Sequence, residues 1–179
     1  MVTRYLYFGR TKTRRKISSH STSFPERSAM PVHVYVDTEF TDFIDCELIS
    51  IGLVADDGRE FYGERSDFEK SSCSEFVRAA VLPQLGQYPD RVFTRDSLHA
   101  ELSLWLDQYI NTQERLLCFD YGGDWELLCD LMDGPPAGWQ ACRVELDQQR
   151  MEDYFRRHAG RHHALIDARA MQYASATED

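Results

Sequence analysis

The sequence predicts a mixed α/β domain: a five-stranded sheet flanked by helices, made of a three-stranded antiparallel meander plus parallel strands. Three observations carry this. The runs around Val34–Phe40, Glu47–Val54 and Glu60–Gly63 are short, rich in β-branched and aromatic residues, and joined by tight connections. Beyond Thr94 the apolar residues recur at helical spacing. The second half then alternates strand-like and helix-like runs, and the order β-β-β-α-β-α-β-α suits a sheet covered by helices.

Each element has a local reason. Val34-Tyr35-Val36 is a buried strand that ends in Asp37-Thr38-Glu39-Phe40. Asp56-Asp57-Gly58 is a hairpin turn signal between the second and third strands. A short helix is expected around Ser74–Val81. Thr94 can cap the next helix, which carries Asp96 in its first turn and places Leu98, Leu102, Trp105, Leu106 and Tyr109 on one face. Arg115–Phe119 is the fourth strand, and Tyr121-Gly122-Gly123 a turn. A helix is expected from Asp124 to Met132, stopped by Asp133-Gly134-Pro135-Pro136. Trp139–Leu146 reads as the fifth strand, Asp147–His158 as a charged surface helix or loop, and Ala164–Tyr173 as the last helix.

Composition sets the limits. A chain of 179 residues is one domain with room for a full core. No apolar run approaches the roughly 20 residues that span a membrane. The five cysteines are scattered without zinc-ligand spacing, which points to a reducing, cytoplasmic setting. Charge is unevenly spread. Residues 1–29 carry seven Lys or Arg and one acid, and read as a disordered basic extension, with Met30 as an alternative start. Residues 30–179 form the domain proper and carry 13 basic and 29 acidic residues, so no broad basic face for duplex nucleic acid is expected there. An enzyme gripping only a strand end tolerates that balance when cations are bound.

The chemistry starts at the end of the first strand. Asp37 and Glu39, two residues apart on a strand, project to the same side. Two acids in one space repel unless a cation lies between them, and hard divalent cations such as Mg2+ or Mn2+ answer that need. Alone, D-x-E is more often a solvated strand exit. Acids recur, however, at other element ends: Asp120 or Asp124 after the fourth strand, and Asp167 on the last helix beside His162-His163. Four carboxylates and a histidine are the ingredients of two-metal phosphoryl chemistry. Spacing alone pairs His163 with Asp167, since i and i+4 share a helix face, whereas His162 would lie about 140° away on a continuous helix.

The stretches Asp37-Thr38-Glu39, Gly123-Asp124-Trp125-Glu126-Leu127-Leu128 and His162-His163-Ala164-Leu165-Ile166-Asp167-Ala168 resemble the three motifs of the DEDDh 3′-5′ exonucleases of the ribonuclease H-like fold. The run Glu47-Leu48-Ile49-Ser50-Ile51-Gly52 also fits, and the compact layout is most similar to a bacterial exoribonuclease branch. The resemblance spans residues 32–173. It implies a metal-dependent 3′-5′ exoribonuclease that releases nucleoside 5′-monophosphates from single-stranded RNA 3′ ends with two Mg2+ or Mn2+ ions. In that scheme Asp37 bridges the ions, Glu39 and Asp167 complete one site and Asp124 supports the other. The motif register makes His162 the general base, on condition that it stands on the loop before the helix, and leaves His163 as a surface imidazole. Thr38, Phe40 and Trp125, next to motif acids, are candidates for substrate contact. Asp120 stands where the family has asparagine and is a rival ligand; Gly123 replaces a family aromatic. The alternatives are single-stranded DNA as substrate, in proofreading or repair, and a catalytically silent binding module. No membrane partner is expected, and a homodimer is left open.

Overall fold

The computed structural model describes residues 30–175, so the basic extension expected over 1–29 lies outside the described residues. Six strands form one sheet: β1 (Val32–Phe40), β2 (Leu48–Ala55), β3 (Glu60–Arg65), β4 (Val92–Phe93), β5 (Arg115–Phe119) and β6 (Gln140–Arg143). Their order is β4-β3-β2-β1-β5-β6. The meander pairs antiparallel, β1 with β2 and β2 with β3. The remaining pairs, β1 with β5, β5 with β6 and β3 with β4, are parallel. Five helices accompany the sheet: α1 (Glu75–Ala80), α2 (Arg95–Asp107), α3 (Gly122–Leu131), α4 (Gln148–Arg157) and α5 (Ala164–Ser175). This mixed α/β architecture is consistent with a ribonuclease H-like fold.

The sheet has six strands, not five. The extra one, β4, is a two-residue edge pairing too short to leave a period in the sequence. The expected strand over Trp139–Leu146 contracts to Gln140–Arg143, because β6 is the other edge and its later residues Val144 and Leu146 turn to pack under β1 and β5 instead. The expected turn at Gly122-Gly123 is the first turn of α3, where the Tyr121 carbonyl accepts from the Asp124 N–H at 3.2 Å. Asp147–His158 resolves into α4, capped by the Asp147 carboxylate.

Strand alternation divides the core between two faces. Val34 and Val36 of β1, Leu53 of β2 and Phe61 of β3 meet Leu98, Leu102 and Leu106 of α2 and Leu127, Leu128 and Leu131 of α3. On the opposite face, Val54 and Tyr62 pack against Ala164, Leu165 and Ala168 of α5, while Tyr35 and Cys118 meet Met171. Every residue of β2 is buried, as expected for a strand covered on both sides. Helix α4 lies over α5, with Tyr154 and Tyr173 rings 5.8 Å apart.

One glycine sets how closely α5 approaches the sheet. Gly52 of β2 lies opposite Asp37 in the register. A Cβ there would run into the backbone carbonyl of Ala164 and the nitrogen of Leu165, far inside contact distance. Backbone cannot step aside as a side chain can. Gly52→Ala is therefore expected to destabilise the fold by about 1–3 kcal/mol or more, the scale of overpacking. Thermal and urea unfolding measure this; an unchanged midpoint would mean that α5 does not seat on β2 at this point.

Candidate functional site

The division into two faces determines how the acids arrive. Asp37 and Glu39 follow Tyr35 in the β1 alternation and so project toward the side covered by α5, where Asp167 lies in the first turn. Thr38 points the other way, toward α3, and meets Asp124 in that helix's first turn. The Thr38 N–H and hydroxyl both donate to Asp124 Oδ1, at 3.1 and 2.7 Å, and both residues are buried. The parallel β1–β5 pairing brings the start of α3 beside the end of β1.

His162 stands on the loop before α5, which satisfies the condition set by the motif register. Its N–H donates to Asp167 Oδ2 at 3.0 Å. Among the described residues, ligand atoms of Glu39, His162 and Asp167 lie within 4.8 Å of one another. Asp37 precedes Thr38 at the same end of β1, and Asp124 is hydrogen-bonded to Thr38, which brings both to this end of the sheet.

His163 is corrected by the structure. It is not a surface imidazole but 3 % exposed, with its ring stacked on Tyr62 at a centroid distance of 4.5 Å. The small residues after it, Ala164 and Ala168, let α5 press onto the sheet and carry His163 inside with them. Sequence spacing could not distinguish an i, i+4 pair across solvent from one pointing into the core.

Crowded, half-desolvated carboxylates resist ionisation. Burial, and then Asp124, Asp167, Glu39 and Asp120, hold Asp37 well above the usual carboxylate range. Burial, and then Asp167 and Asp124, push Glu39 up to about 8. Asp124 is raised by burial against the opposing pull of its Thr38 hydrogen bonds. Asp167 is raised by burial, against the His162 N–H and Arg161. The imidazole of His162 is pushed the other way, below its ordinary value, by burial and by Arg161. Asp120 is partly exposed and contributes negative potential to three of these acids.

The donor set fits a hard divalent cation. It is made of carboxylate oxygens with one imidazole beside them, the oxygen-rich chemistry such ions select. Asp167 Oδ1 is also buried without a hydrogen-bond partner among the described residues.

Beside the acids lies a cleft of about 320 Å³ lined by Phe40, Phe43, Cys46, Tyr121, Gly123, Glu126, Leu127 and Asp130. Phe40 is partly exposed, stacked on Tyr121 at 6.3 Å and edge-on to Phe43 at 5.3 Å. Phe43 is 77 % exposed, an uncommon position for phenylalanine. Trp125, by contrast, stacks on Phe119 at 5.9 Å and packs against the main core. Phe43 and Tyr121 did not stand out in the sequence, where Tyr121 reads only as part of a turn. Their signal was aromatic character inside polar loops flanking two of the acidic motifs.

No family model matches this chain. Curated relatives from two strains of Mycobacterium tuberculosis, CDC 1551 / Oshkosh and ATCC 25618 / H37Rv, are each named 3′-5′ exoribonuclease. Each is 48% identical to this chain over 52 residues, which is 28% of this chain and 31% of the relative. The chain thus matches these relatives over about a third of their length. The similarity is to exoribonucleases in general.

Proposed function

We propose that this chain is a 3′-5′ exoribonuclease of the DEDDh type, hydrolysing the 3′-terminal phosphodiester of single-stranded RNA to release nucleoside 5′-monophosphates. The observation that carries the reading is the convergence of Asp37, Glu39, Asp124 and Asp167 with His162 from three separate elements onto one end of the sheet. The partial likeness to proteins named 3′-5′ exoribonuclease supports the same reaction class.

In this reading water attacks the terminal phosphorus, an O–P bond forms, and the bond to the leaving 3′ oxygen breaks. His162 takes the proton from the attacking water. Burial and Arg161 favour its neutral ring, the form that accepts a proton. Asp37, Glu39, Asp124 and Asp167 would hold two Mg2+ or Mn2+ ions, which when bound supply charge to steady the attacking and leaving oxygens. Thr38 orients Asp124 through its two hydrogen bonds. The exposed aromatics Phe43 and Tyr121, with the partly exposed Phe40 beside them, offer faces on which a terminal base can stack, a contact every base can make.

The test uses 5′-labelled RNA and DNA oligomers resolved at single-nucleotide length. RNA is expected to shorten from its 3′ end, to stop with chelator, to resume with Mg2+ or Mn2+, and to resist cleavage when it carries a 3′-phosphate. Efficient cutting of circular single strands would overturn the exonuclease reading, and preferential digestion of DNA would overturn the substrate.

A further inference from the structure

His162 occupies a backbone conformation that most side chains avoid, with φ of +68°. Left-handed backbone at a residue with a Cβ persists only where the surroundings hold it. Two groups hold it here. Its N–H donates to Asp167 Oδ2 at 3.0 Å. Its carbonyl faces the side-chain amide of Gln84, whose Nε2 lies 2.9 Å from His162 O, 2.6 Å from Arg161 O and 3.0 Å from Ala80 O. Three acceptor oxygens around one atom require the donor end of the amide there.

Gln84 is itself anchored to the sheet. It closes the short turn Leu82–Gln84, and two residues later the N–H of Gly86 donates to both oxygens of Glu64, each at 2.9 Å. Glu64 is 3 % exposed on β3 and also accepts from the Tyr62 hydroxyl at 3.0 Å. A continuous line of contacts therefore runs from a buried carboxyl in the sheet, through the 82–86 turn, to the two carbonyls that flank His162 along the backbone. Until it reaches His162, nothing in this line belongs to the acidic motifs.

We propose that Gln84 is a positioning residue for the general base. By gripping the carbonyls of Arg161 and His162, it fixes the peptide that aims the imidazole at Glu39 and Asp167. Gln84 acts through the backbone, so its loss disturbs the aim of the ring and the His162 N–H contact to Asp167, while β1, α3 and α5 keep the acids themselves in place. Small misplacements of a catalytic group are costly to rate. The inference rests on the exonuclease reading, with His162 as base.

The test combines Gln84→Glu and Gln84→Met with His162→Ala in the full chain, assayed on an RNA oligomer with Mn2+. Gln84→Glu keeps the shape but turns an acceptor oxygen toward three carbonyls; Gln84→Met removes the donor without adding charge. Both are expected to lower kcat by roughly 10-fold or more with KM nearly unchanged. In the His162→Ala background the same substitutions are expected to change kcat by less than about twofold, because there is no ring left to aim. Melting temperatures of all variants confirm that kcat is compared between folded proteins. Unchanged kcat in both single variants, or a Gln84 effect that multiplies with that of His162→Ala, overturns the positioning role while leaving the base assignment intact. His162→Ala without effect overturns the base assignment, and the positioning role with it.

Discussion

Asp37→Asn is expected to abolish exonuclease activity, by at least about 10³-fold, while leaving the metal-free protein no less stable than the wild type. The loss of rate follows from removing the central member of the acid set, since cation-mediated charge stabilisation is worth several kcal/mol and each 1.36 kcal/mol is tenfold in rate. The stability half follows from the crowding. Asp37 is held well above the ordinary carboxylate range by burial and four neighbouring acids, so replacing it with a neutral amide of the same shape relieves charge crowding instead of adding to it. The same acids set a pH dependence. Glu39 rises to about 8, and Asp124 and Asp167 rise with it. Groups with raised folded-state values bind more protons folded than unfolded, so their stabilisation is complete below the ordinary carboxylate range of about 4. It is lost as pH climbs from there through about 8. Metal-free wild type should therefore melt at progressively lower temperature across that window. Mn2+ should restore it, by about 1.4 kcal/mol for each tenfold excess over its dissociation constant. Asp37→Asn should show a shallower pH slope and little Mn2+ response. Calorimetry over pH, with and without Mn2+, measures both; a variant that still cleaves RNA would remove Asp37 from the centre of the site.

His162→Ala should lower kcat by roughly 100-fold, the scale of a lost general base. His163→Ala should act differently. Its buried ring packs against Tyr62 and Tyr88, so the main expected effect is a lower melting temperature, with a much smaller loss of rate per folded molecule. Steady-state kinetics beside thermal melts separate the two. A larger kcat loss for His163→Ala at unchanged stability would reverse the assignment of the base.

Local pattern was enough to reveal the meander, the α2 face and the three acidic motifs, because each is written within a few consecutive residues. Alternation along Val34–Phe40 put Asp37 and Glu39 on one side, and apolar spacing put Leu98, Leu102, Trp105 and Leu106 in the core, as the structure has them. The helical spacing of His163 and Asp167 was equally local, and the Asp167 N–H does donate to the His163 carbonyl, but spacing alone could not say that the His163 ring is buried while His162 stands on the preceding loop. Only the tertiary structure decided that α5 starts at Ala164, that close packing against Gly52 draws His163 inside, and that His162 is left on a held loop beside Glu39 and Asp167. Likewise, nothing local marked Val92–Phe93 as an edge strand, or linked Gln84 to a histidine 78 positions away. Those features consist of contacts between distant segments. Their free energy arises when the chain closes on itself, so no stretch of sequence carries them alone.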